Sequence, residues 1–63
     1  MAVNPSLIQL ELEVEALLLA KQYILANDKT NAVNTITQVQ TDLGTMITAL
    51  NAAANVSTLA GLA

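Results

Sequence analysis

The chain contains no cysteine, histidine, tryptophan, phenylalanine or arginine; it has one aromatic ring, Tyr23, one proline, two glycines and two lysines. Each shortage removes a class of structure or function. Without cysteine there is no disulfide and no thiolate. Without histidine there is no borderline-metal ligand set and no base for a hydrolytic triad, so Ser6 and Ser57 have nothing to activate them. With no arginine and a net charge of −3, the chain offers no electrostatic footprint for nucleic acid and little attraction to an anionic membrane surface. One tyrosine makes no stacking platform, and the isolated Gly44 and Gly61 make no phosphate loop.

The 63 residues suffice for one small domain, 1–63, and 54% of them are hydrophobic. A chain of this length buries only about 60% of its unfolded surface, and one core of this size supplies only ~3–5 kcal/mol. Small proteins add staples. With disulfides and metals removed, association with another chain is the remaining one. The start, MAVNPS, has no basic stretch before an apolar run, so no secretory signal is expected. The uncharged stretch from Leu43 to Ala63 has bilayer-spanning length, but three threonines, two asparagines and a serine interrupt it, so no transmembrane segment is expected.

Composition changes near Asn31. Six of the seven charged residues precede it, and the remainder is rich in Thr, Asn, Gln and Ala around a single Asp42. The polar run Ala26-Asn27-Asp28-Lys29-Thr30-Asn31 reads as a turn. The pattern therefore predicts an all-α protein: a two-helix hairpin, about 5–26 and 31–56, assembling into an oligomeric bundle or coiled coil, with 57–63 a flexible or docking tail. Asn4 fits the first N-cap and Pro5 the first helical position, with Val3 and Ile8 as a hydrophobic staple; Ser6 with Gln9 is a rival capping box. Asn27 suits the left-handed residue that ends a helix, and Asp28 or Thr30 can cap the second helix. Ile8, Leu10, Leu12 and Val14 alternate with polar residues as a strand would. That alternation stops at Ala16, and Glu and Leu favour helix.

Read as a helix, the first segment is apolar on two sides. Leu7, Leu10, Val14, Leu17, Leu18, Ile24 and Leu25 form one face; Ile8, Leu12, Ala16, Leu19 and Tyr23 form another. Glu11, Glu15 and Gln22 make one polar ridge between them, Gln9 and Glu13 the second. A helix apolar on two sides is normally enclosed by two layers. In the second segment Ile36, Val39, Leu43, Met46, Leu50 and Ala53 recur at spacings of three and four, a coiled-coil seam broadened by Ile47, Ala49, Ala54 and Val56. Its other face is Asn34, Thr37, Thr41, Thr45, Thr48, Asn51 and Asn55. Expected self-association residues are Ile36, Val39, Leu43, Met46 and Leu50, with Ile8, Leu12, Leu19 and Tyr23 on the first helix.

The acids are the only candidate catalytic or metal-binding groups. Glu11 and Glu15, four residues apart, read as a solvated ridge and a poor cation cage. Lys21, between Leu17 and Ile24, reads as a lysine whose stem lies along apolar surface. Asn55-Val56-Ser57 matches a glycosylation triplet, which means little without a signal sequence. No catalytic site, metal or cofactor is expected. The Thr/Asn/Gln/Ala-rich residues 31–63 resemble small helical structural proteins of tailed-phage virions. The resemblance is one of composition and assigns no residue a role. It implies a capsid, neck or tail accessory protein present in many copies. The expected function is thus a non-enzymatic structural subunit of a virion or filament, virion or cytoplasmic in location. Its expected partners are further copies of itself and other structural proteins, with no nucleic acid or membrane. The alternatives are a regulator placing one helix in a partner's groove and a small membrane-active peptide.

Overall fold

A computed structural model describes residues 4–59. It contains two helices, α1 (Pro5–Leu25) and α2 (Lys29–Ala52), packed against each other as a hairpin. There is no strand among the described residues, so the Ile8–Val14 alternation is carried by a helix. No helix among them is long and apolar enough to cross a membrane. Val3 of the expected staple, and Ala60, Gly61 and Leu62 of the tail, lie outside the described residues.

Local chemistry fixes both helix starts. Asn4 is the N-cap of α1: its backbone is extended, its Oδ1 accepts from the Ser6 N–H at 2.9 Å, and Pro5 fills the next position, where no N–H is missed. Asp28 caps α2, its carboxylate accepting from the Asn31 N–H at 3.2 Å and the Asn31 side-chain amide at 2.7 Å. The turn between them is tight. Asn27 has φ 58°, the left-handed conformation that asparagine tolerates better than most residues. The Asp28 N–H then reaches back to the Tyr23 carbonyl at 2.8 Å.

Two expected boundaries need correction. The second helix starts at Lys29, not residue 31, because Asp28 and not Thr30 is the cap. It ends at Ala52, not 56: Ala53 is extended, with ψ 135°, and its N–H makes a tighter bond to the Leu50 carbonyl. No glycine or proline stops α2. A contact from the other end of the chain accompanies the stop. The Asn4 side-chain amide donates to the carbonyls of Val56 at 3.0 Å and Ser57 at 2.8 Å, while Asn55 Oδ1 accepts from the N–H and hydroxyl of Ser57. Leu59, at φ 56°, is buried and shares a groove of about 310 Å³ with Pro5, Ser6 and Met46.

Asn4 therefore has two jobs, and one substitution separates them. Aspartate caps a helix as well as asparagine does, but a carboxylate cannot donate. Asn4→Asp keeps the cap and sets a negative oxygen against two carbonyls. The expected cost is ~1–3 kcal/mol, measured as a lower urea midpoint, with faster proteolysis after residue 53. An unchanged midpoint would mean that the Asn4–Ser57 tether adds nothing to stability.

Candidate functional site

The inner side of each helix shows which ridge forms the hairpin. On α1 the buried residues are Ser6, Glu13 and Ala20, with Gln9, Ala16 and Tyr23 half-buried between them. On α2 they are Ala32, Val39 and Met46, with Thr35, Asp42 and Ala49 between them. Both sets step by three and four, so this is an antiparallel seam of heptad type. Its α1 half is made of small and polar residues. Neither leucine-rich face of α1 was chosen; the second polar ridge, Gln9 with Glu13, is the one that packs.

The physical reason lies in balance and size. Leucines on opposite sides of α1 pull in opposite directions, so neither side dominates. Ser6, Ala16 and Ala20 on α1 and Ala32 and Ala49 on α2 are small residues that let two helix backbones approach closely. The α2 stripe is rolled by about one residue relative to expectation. Val39 and Met46 are central, but their seam companions are Thr35, Asp42 and Ala49, while Leu43 and Leu50 sit half-buried at the edge and Ile36 is exposed.

At the middle of the seam two acids meet. Glu13 retains only 5% of its surface. Its Oε1 accepts from the Gln9 amide at 2.7 Å, and its Oε2 is buried with no hydrogen-bond partner. Across the seam Asp42 is within hydrogen-bonding reach of Glu13, and accepts from the Gln38 amide at 2.9 Å. Burial, then the facing Asp42, push the Glu13 carboxyl above its ordinary value of 4.5, with Gln9 pulling the other way. Two acids thus face each other across the seam, and the enclosed Glu13 holds its proton more tightly than an exposed carboxyl would. The pair does not resemble a reaction centre: Glu13 is enclosed, and no group of three or more metal-ligating side chains exists among the described residues. Glu11 and Glu15 are both exposed, as is Lys21.

Outside the seam the hairpin has two unequal broad sides. At 100° per residue, the position after each seam residue turns to one side and the position before it to the other. Because α2 runs back along α1, the following positions of both helices share one side. That side carries Leu10, Leu17 and Ile24 from α1 and Ile36, Leu43 and Leu50 from α2, with Leu7, Val14, Val33 and Ile47 further out. The opposite side carries Ile8, Leu12 and Leu19 from α1, but Gln38, Thr41, Thr45 and Thr48 from α2. The three threonine hydroxyls donate within their own helix, to the carbonyls four residues back, at 3.2–3.3 Å.

The expected self-association residues are therefore dispersed. Val39 and Met46 are enclosed within the hairpin, and Tyr23 lies half-buried at its turn end. Ile36, Leu43 and Leu50 share the apolar side, whereas Ile8, Leu12 and Leu19 stand on the mixed one. Leu10, Leu17 and Ile24 belong to the other apolar face of α1, the association surface expected if the hairpin paired the other way. Their heptad spacing was visible there, but nothing showed that it would align with α2. The fold and this surface define a small α-hairpin with an open apolar side. No protein-family model, characterised protein or solved structure matches the chain.

Proposed function

We propose that the chain is a non-enzymatic assembly subunit: a hairpin completed by further copies of itself and by other structural proteins, in a multi-copy virion component or filament. One observation carries this reading. Among the described residues, fourteen large apolar side chains are exposed, from Leu7 to Val56, and no large side chain is fully buried. Covering a half-exposed leucine or isoleucine is worth ~1 kcal/mol. Enclosing eight or ten of them offers more than the ~3–5 kcal/mol that one small core supplies. The hairpin therefore gains more from its neighbours than from its own seam. The composition of residues 31–63 favours a virion among such assemblies.

Quantitative mass spectrometry of the native particle tests the proposal. The expected result is many copies in fixed ratio to a major structural protein. Recovery of the chain from its source as a free monomer, absent from any particle, would reject it.

A further inference from the structure

We infer that the apolar side of the hairpin is a docking surface for a second copy of the same chain, the two hairpins lying face to face and antiparallel in a four-helix layer pair. The inference rests on the assembly reading above and adds to it the face, the partner and the orientation.

Three features select this side. The first is composition. Eight of the fourteen exposed large apolar residues stand here, including Leu10, Leu17, Ile24 and Ile36, and the half-buried Leu43 and Leu50 join them to the seam. The opposite side has the threonine ladder of α2 and receives the chain's own tail, since Leu59 shares its groove with Pro5 and Thr45 there. Among the described residues, one side is thus partly covered from within the chain and the other is not.

The second is size. The hairpin measures 44 × 21 × 10 Å, a single helical layer. Such an outline presents about 900 Å² per side, against the ~800 Å² each partner contributes to a stable complex. A second hairpin of the same outline covers the face completely and turns one layer into the two that a core requires.

The third is charge. Four of the five acids lie elsewhere, Glu13 and Asp42 in the seam and Glu11 and Glu15 away from this side on α1, while Asp28, the turn cap, borders the groove at its turn end. Both lysines belong to the apolar side's rim at the turn end, where Lys29 borders a groove of about 400 Å³ with Ile24, Val33 and Ile36. Two hairpins with their turns together would gather four ammonium groups. The antiparallel arrangement separates the two pairs by roughly the 30 Å length of α1. A bilayer is the poorer occupant, because a helix pair lying on lipid is normally held by many basic residues at its rim.

Paired substitutions on α1 test the face. Leu17 and Leu19 are equally exposed, 47% and 48%, and their replacement by glutamine changes helix propensity identically. Leu17→Gln should weaken self-association by on the order of 100-fold, since a two-fold interface loses each contact twice, whereas Leu19→Gln should change it only a few-fold. Sedimentation equilibrium reads both, with circular dichroism at the same concentrations. Equal sensitivity of the two variants in a chain that still associates would overturn the face but leave the assembly reading standing; a monomer at millimolar concentration would overturn both. A spin label on Ala26→Cys, exposed in the turn between the two helices, reads orientation, and the chain has no other cysteine. Separations of roughly 30 Å or more are expected, and a short label-to-label distance would overturn the antiparallel arrangement. Recovery of wild-type chain on phosphatidylcholine vesicles, and as a monomer without them, would overturn the second copy as occupant.

Discussion

Val39→Asp should leave the chain unfolded. Val39 is 5% exposed at the centre of the seam, three residues before Asp42 and thus on the same ridge, opposite the α1 ridge that holds Glu13. The substitution removes an apolar contact and adds a third acid to a place that already holds two, Glu13 and Asp42. An unpaired buried charge costs several kcal/mol, which exceeds the ~3–5 kcal/mol of a domain this small. Thr37→Asp is the matched comparison: the same residue is introduced two positions earlier on the exposed outer surface of α2, where the effect should stay within about 0.5 kcal/mol. Circular dichroism at the concentration where wild type is folded distinguishes them. A helical Val39→Asp chain would mean that the seam opens to water or that α2 has rolled to present another ridge.

The second large effect concerns the acid pair, with the opposite sign. Glu13→Gln should stabilise the hairpin at neutral pH by several degrees in Tm. The amide oxygen keeps the bond from Gln9, and its NH₂ adds a donor facing Asp42, which a Glu13 carboxylate cannot supply. The pH dependence follows from the direction of the shift. Glu13 holds its proton more tightly in the folded hairpin than in the unfolded chain. The resulting stability is fully present below the unfolded value of 4.5 and is lost as pH rises through the raised folded value. Wild type should therefore resist urea better in mild acid than at neutrality, the reverse of a protein whose carboxylates are ion-paired. In Glu13→Gln that slope should disappear. A wild-type urea midpoint that rises with pH across this range would show that the folded hairpin does not hold the Glu13 proton more tightly than the unfolded chain does.

Both effects arise at positions whose importance the sequence hides. Glu13 stands between Leu12 and Val14, in a run where acids alternate with apolar residues, and reads there as part of a polar ridge between two apolar faces. Only the pairing of ridges puts it opposite Asp42, 29 positions away. Leu10, Leu17 and Ile24 are readable as a heptad line, as are Ile36, Leu43 and Leu50. That the two lines share one broad side follows once the seam is known to run one residue before each of them.

What the sequence determines here is local. The Asn4-Pro5 start, the left-handed Asn27, the Asp28 cap and the helical character of both segments depend on interactions within about four residues, so residue type and spacing suffice to read them. Small size and the absence of cysteine and histidine are equally direct, and make a second chain the available staple. The tertiary structure decided everything that depends on choosing between equivalent surfaces. α1 is apolar on opposite sides, so its pattern carries no preferred direction. Close approach of Ser6, Ala16 and Ala20 to the alanines of α2 broke the tie, drawing Glu13 inside and leaving the leucines outside. The end of α2 was decided in the same way: no residue between Ala52 and Val56 breaks a helix, whereas Asn4, more than fifty positions earlier, binds the carbonyls of Val56 and Ser57 and holds the chain in another path.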